Sequence, residues 1–126
     1  MKEILDIAQI CEKMKLDRIC AKLRENRGWS AVHVAAAFDL IKCLKDDRMI
    51  KYINLQEGEL NRTPLHIAII NGNKAAVKTL IDAGAQMDLK DLKGNSIFHC
   101  ASENSTEILQ VINILISLLL LLVFLD

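Results

Sequence analysis

The residues best equipped for chemistry are three histidines, His33, His66 and His99, and four cysteines, Cys11, Cys20, Cys43 and Cys100. Three imidazoles would suit a zinc ion, whose ligands all lie about 2 Å from it. Their spacing speaks against that use. The histidines are evenly spaced along the chain, and a constant period places them at equivalent points of successive structural units. Packed helices lie about 10 Å apart, so rings one unit apart do not reach a common ion. Cys100 follows His99 directly and resembles a nucleophile with its base. Neighbouring residues of a helix point in different directions, and no third group recurs nearby to orient the base. The cysteines form no C-x-x-C pair, and Cys11 and Cys20 have the wrong spacing for a zinc knuckle. The glycines at 28, 58, 72, 84 and 94 are dispersed turn residues, not a phosphate-cradling loop. The sequence therefore predicts no catalytic residue, no metal and no cofactor.

The histidines instead mark a framework. From Asn61 to Lys93 the chain reads Thr63-Pro64-Leu65-His66-Ile67-Ala68, Gly72, Val77, Leu80-Ile81 and Ala83-Gly84-Ala85. Ser30-Ala31-Val32-His33-Val34-Ala35 precedes it at the same phase, and Ser96-Ile97-Phe98-His99-Cys100-Ala101 follows. Thr63, Ser30 and Ser96 are placed to cap the first helix of each unit by accepting an orphan backbone N–H. Pro64 suits the first helical position, where no N–H is needed. Leu65 and Ala68, three apart, share a face, and the small alanine admits a close neighbour. Gly72 and Gly84 suit helix ends that need positive φ. Val77, Leu80 and Ile81 give the second helix a buried stripe. Asp91-Leu92-Lys93-Gly94 is a tight turn into the next unit. Each imidazole is expected to bond the hydroxyl and backbone that begin its own unit.

A period of about 33 residues with a T-P-L-H core identifies the chain as resembling the ankyrin repeats, which stack a turn and two helices per unit. The expected fold is all-α: a solenoid of about three helix-turn-helix units, with an N-terminal capping helix and an apolar C-terminal helix. The expected divisions are a helical cap over 1–26, repeats over 27–116 (about 27–60, 61–93 and 94–116) and an apolar extension over 117–126.

The flanking stretches are less regular. In 1–26, Ile4, Ile7, Ala8 and Cys11, then Met14, Ile19, Cys20 and Leu23, keep helical spacing with one slip. That fits a cap over the open apolar side of the first unit, as solenoid ends require. A degenerate upstream repeat is the alternative. In the first unit Lys45-Asp46-Asp47-Arg48 interrupts the apolar stripe of Leu40, Ile41, Cys43 and Leu44, so a shortened or kinked second helix is expected there. Gln56-Glu57-Gly58-Glu59 reads as the finger before the central unit. The third unit needs a one-residue deletion before Ile108, Leu109, Val111 and Ile112 fall in phase. From Ile108 to Leu125 the only polar residues are Gln110, Asn113 and Ser117. About 20 apolar residues span a bilayer, so this tail is marginal in length, and no Lys or Arg flanks it. Three readings stay open: a last helix with a greasy terminus, a membrane anchor through Val111–Leu125, and an apolar contact surface. All three predict poor solubility of the isolated chain.

Composition narrows the partners. Sixteen Lys+Arg balance sixteen Asp+Glu, so the formal net charge is zero. A nucleic-acid surface needs a basic excess to release counterions. Aromatic residues make up only 4% of the chain, which leaves no stacking platform for bases. Scattered cysteines fit reduced thiols packed as small apolar groups in an intracellular protein. Met1-Lys2-Glu3 mixes charge at once and shows no secretory leader.

A narrower resemblance lies in the linking segments. Ile53-Asn54-Leu55-Gln56, Leu60 and Thr63-Pro64-Leu65-His66 resemble a junction between repeats of the IκB family. Ala83-Gly84-Ala85 through Leu89, Asp91 and Gly94-Asn95-Ser96 to His99 is similar to the ankyrin halves of NF-κB precursors and to Cactus and Relish of insects. The resemblance covers roughly residues 28–112. It implies binding to a Rel-type transcription factor, which family members hold in the cytoplasm or off DNA. It implies contact through the finger tips and first-helix faces, here Asn61, Arg62, Ile70, Asn71, Asp91, Lys93, Ser102 and Glu103. Family inhibitors stack six or seven units, against three here. Residues 1–27 contain no serine, so the paired-serine signal that triggers destruction of such inhibitors is absent from them. The resemblance then implies an inhibitor that acts constitutively, like the short IκB-like ankyrin proteins of some insect-associated viruses, or a fragment of a longer Relish-like or Cactus-like protein.

Overall fold

Short helices form where the chain alternates a capping hydroxyl, a short run of helix-compatible residues and a left-handed turn. The computed structural model describes residues 30–104 and 106–125; the expected cap over 1–26 lies outside them. Among the described residues the first unit holds α1 (Ala31–Ala37), α2 (Ile41–Leu44) and α3 (Asp47–Ile50). The central unit holds α4 (Pro64–Ile70) and α5 (Lys74–Asp82). The third holds α6 (Ile97–Asn104) and α7 (Thr106–Leu125). Helix α1 packs on α4 and α4 on α6, while α2 packs on α5 and α5 on α7. Within each unit the two helices also pack on each other. The result is two layers of helices stacked side by side.

The period is kept by the helix starts. Ala31, Pro64 and Ile97 begin the first helices, and Ile41 and Lys74 the second ones, each at the interval that separates the histidines. Helix α7 begins at Thr106, one position earlier than that interval would place it after Lys74, as the expected deletion requires. Ala35, Ala68 and Ala101 occupy one phase and are all fully buried, so the first helices meet without a bulky side chain between them. The first unit's second helix does break: α2 ends at Leu44, a turn at Lys45-Asp46 follows, and α3 resumes. Met49 and Ile53 beyond the break still reach the core.

Left-handed residues turn the chain at two repeating places. Gly72 (φ 70) ends α4, and Asp39 (φ 57) stands at the same phase after α1. Gly94 (φ 79) and Asn61 (φ 51) share the other phase, just before the capping hydroxyl of each unit. Asp and Asn tolerate this region better than other side-chain-bearing residues because their short polar groups bond locally.

Capping follows expectation in two units out of three. Thr63 Oγ1 accepts the His66 N–H (3.2 Å), and Ser96 Oγ accepts the His99 N–H at the longer 3.5 Å. Ser30 departs from it: its hydroxyl makes no cap bond and engages the His33 ring.

Helix α7 runs unbroken through position 116, where the sequence divides repeat from extension. Burial divides it instead. Ile108, Ile112 and Leu115 enter the core, whereas Leu118 to Leu125 are all 40–83% exposed. Lys74 at the start of α5 forms an ion pair with Glu107 at the start of α7.

Candidate functional site

Each unit begins with a hydroxyl and a histidine one helical turn later, and the pair has more to do than start a helix. His66 Nδ1 lies 2.7 Å from Thr63 Oγ1 and also accepts the Thr63 N–H (3.3 Å). Its Nε2 lies 3.0 Å from the Asn95 carbonyl of the next unit. A carbonyl only accepts, so Nε2 carries the proton and Nδ1 is the acceptor. His33 repeats the arrangement: Nδ1 is 2.7 Å from Ser30 Oγ, and Nε2 donates to the Arg62 carbonyl (2.6 Å). Each ring thus joins the start of its own unit to the turn that opens the next. The sequence reading places the bond within the unit and misses the carbonyl supplied by the following one.

Burial lowers the pKa of both rings, against the smaller opposing pull of their backbone carbonyl bonds. Neutral, buried and satisfied on both nitrogens, His33 and His66 are structural. Among the described residues no group of three His, Cys, Asp or Glu is placed to hold a metal. Cys43 and Cys100 are buried in the core, and burial pushes both thiols up, away from the thiolate that a nucleophile needs.

The fingers carry the surface that faces outward. The first is an antiparallel bridge, with Glu57 and Arg62 exchanging both backbone bonds (3.1 and 3.2 Å) around the turn at Gly58. The second is built by Asp91. Its Oδ1 accepts the N–H groups of Lys93 and Asn95 (2.9 Å each), and its Oδ2 receives the Arg62 guanidinium (3.4 Å). Burial works against its charge, yet the two N–H groups and Arg62 together hold the carboxyl below the usual carboxylate range. The Leu92 N–H donates to the Leu60 carbonyl (2.8 Å), and Gln56 Nε2 to the Lys90 carbonyl (2.7 Å), which couples one finger to the next.

The expected contact residues differ in exposure. Asp91 is buried, its side chain wholly enclosed, because three donors turn it inward. Its carboxylate builds the finger. Arg62 is half-buried and is engaged through both its guanidinium and its carbonyl. Ile70 packs against the core. Asn61 is a half-buried turn residue. Asn71, Lys93, Ser102 and Glu103 are exposed, although Asn71 also caps α4 by donating to the Ile67 carbonyl (2.9 Å). Leu92, which the sequence reading passes over, projects from the second finger at 69% exposure. An apolar residue inside an otherwise polar turn is the signal that could have found it.

On the outer layer, the break between α2 and α3 opens a shallow cleft of about 390 Å³ lined by Leu44, Lys45, Ile50, Lys78, Thr79 and Asp82.

Comparisons with known proteins bear on both levels. The family model described as ankyrin repeats (3 copies) matches residues 5–91 and 40–118. The first match begins within the stretch read as a cap. The nuclear factor NF-kappa-B p105 subunit of Gallus gallus is 33% identical over 82 residues, 64% of this chain and 8% of its own length. The NF-kappa-B inhibitor alpha of Sus scrofa is 32% identical over 69 residues, 55% of this chain and 21% of its own length. The ankyrin and armadillo repeat-containing protein of Homo sapiens is 32% identical over 90 residues, 64% of this chain and 6% of its own length. The chain thus spans about a fifth or less of these relatives.

Proposed function

The chain belongs to the ankyrin-repeat family, whose stacked units form protein-interaction modules, and we propose that it is an IκB-like inhibitor that binds a Rel-type transcription factor. In this reading it holds the factor in the cytoplasm or off DNA, as a component of innate immune signalling. The observation that carries the reading is the linker resemblance from Ile53 to His99, joined by similarity to a p105 subunit and an NF-kappa-B inhibitor. The contact surface is the second finger, with Leu92 and Lys93, together with Asn71 at the end of α4 and Ser102 and Glu103 of α6. Leu92 is the apolar anchor and the exposed polar residues form its rim.

The test is a gel-shift assay with a purified Rel-homology protein. Added chain should abolish the DNA complex at stoichiometric ratio, and Leu92→Asp should weaken the inhibition at least tenfold. A DNA complex that persists with the folded chain in excess refutes the inhibitor reading.

A second reading, a membrane-tethered ankyrin adaptor, is favoured by α7. Among the described residues it is the helix long and apolar enough to cross a membrane. Leu118 to Leu125 are exposed around its whole circumference. Retention of the chain on membranes after carbonate extraction, lost when 118–126 are deleted, would support the tether over a purely cytoplasmic inhibitor.

A further inference from the structure

The break in the first unit's second helix leaves a groove on the outer layer that the function proposed above does not use. Helix α5 supplies one wall. Ala75, Lys78, Thr79, Asp82 and Ala83 line it, and their spacing of three and four puts them on one stripe along the helix. The opposite stripe, Ala76, Val77, Leu80 and Ile81, is buried in the core. Leu44, Lys45 and Ile50 form the other wall. In the central unit the second helix runs unbroken from Lys74 to Asp82, whereas in the first unit it stops at Leu44 and resumes at Asp47. Ile50, beyond the break, therefore reaches the groove.

The lining combines an apolar floor with separated cations. Leu44 is buried, and Ile50 and Ala83 are half-buried. Lys45 and Lys78 stand exposed on opposite walls, and neither forms an ion pair among the described residues. Asp82 is the carboxylate in the lining; the turn residues Asp46 and Asp47 do not line it. Thr79 donates its hydroxyl proton to the Ala75 carbonyl (2.8 Å) and so offers the groove an acceptor. From Ala75 to Ala83 the α5 wall is about 12 Å long, room for about three or four residues of an extended peptide. A volume of about 390 Å³ is at the small end of ligand sites and suits one apolar side chain with its flanks.

We infer that this groove docks a short acidic segment of a partner protein, in which one apolar side chain lies between two carboxylates. The apolar side chain covers Leu44 and Ile50, and the carboxylates pair with Lys45 and Lys78. Asp82 repels a third carboxylate at the Ala83 end and so fixes which way the segment lies. None of the residues proposed to contact a Rel-type factor lines the groove, so the two surfaces are independent.

The test is amide NMR of the isotopically labelled full chain, kept monodisperse in a nonionic detergent. The probe is an end-blocked synthetic peptide, Gly-Ser-Glu-Leu-Glu-Ser-Gly, titrated to about 10 mM, where even a site of about 1 mM is roughly nine-tenths filled. Shifts should saturate and cluster on Lys45, Ile50, Lys78, Thr79 and Ala83. Lys45→Glu combined with Lys78→Glu should weaken binding roughly tenfold, and that double variant should instead bind Gly-Ser-Lys-Leu-Lys-Ser-Gly. Both lysines are exposed, so the variant should keep the stack, and unchanged shifts of the core amides check that it does. Leu92→Asp, on the finger, should leave binding unchanged. Serine in place of the peptide's leucine should weaken binding at least tenfold. No saturating shift at the groove residues overturns the inference, and so does binding indifferent to the two lysines. Equal shifts with the serine peptide or with inorganic phosphate would make the groove a simple anion site and overturn it too. Loss of Rel binding changes none of these outcomes.

Discussion

At the scale of the residue, the histidines carry both the architecture and a pH response. His33 and His66 are neutral because burial lowers their pKa below the ordinary value of about 6.5. In the unfolded chain the same rings take up protons as the pH falls through 6.5, while the folded rings do not yet do so. The unfolded state then binds more protons, so stability falls with pH from about 6.5 down to the lowered folded values, by at most about 1.4 kcal/mol per pH unit for each ring. Urea midpoints measured from pH 7.5 to 5.5 should decline, and a chain with His33→Gln and His66→Gln should show a flatter profile from a lower starting point. The Thr63–His66 pair was legible in the sequence because its roles are local, within one helical turn. The carbonyl ends of the staple were not, since they belong to the next unit. The burial of Asp91 was hidden for a related reason: the Lys93 and Asn95 N–H groups lie in its own turn, but Arg62, which also draws its carboxylate inward, belongs to the preceding finger.

At the scale of the element, helices as short as α1, α4 and α5 do not persist alone, and their ends are satisfied by neighbours. Asn73, the N-cap of α5, makes no cap bond of its own and instead donates to the Ala36 and Ala37 carbonyls at the end of α1, at 2.9 Å each. Asp39 answers by accepting the Ala76 N–H in the first turn of α5 (2.9 Å). Each unit thus caps the other. Asp39→Ala removes a cap and leaves a left-handed backbone that alanine disfavours, and should cost about 2 kcal/mol in chemical denaturation. Asn73→Ala should cost about 1 kcal/mol by the same measurement. This exchange was hidden in the sequence because Asp39 stands where the central unit has Gly72 and its partner, the Ala76 N–H, lies in the next unit. The core was plainer. Leu65, fully buried between successive first helices, should cost about 2–5 kcal/mol as Leu65→Ala, and a melt unchanged by that substitution would contradict the stacking.

At the scale of the whole molecule, the stability of a solenoid is a sum of unit and neighbour-interface terms, and about three units are needed. That makes α7 the critical piece, and its two halves contribute differently. Ile108, Ile112 and Leu115 are buried against α5 and α6. At about 1.5–3 kcal/mol each they supply roughly 5–9 kcal/mol of burial, comparable to the whole stability of a typical domain. The exposed run from Leu118 to Leu125 supplies none and adds an apolar surface that drives association. Apolar composition is the same in both halves, so the division at 116 rests on the length of a repeat, and burial shows which half packs. A chain ending after Ser117 should therefore keep a single cooperative melt close to that of the full chain and remain monodisperse at higher concentration. A chain ending after Glu107 should lose the third unit, expose α4 and α5, and melt without cooperativity. Thermal denaturation followed by circular dichroism, with light scattering on the same samples, separates these outcomes. If the chain ending at Ser117 unfolds, the terminal leucines have a partner within the stack and the division of α7 by burial is wrong.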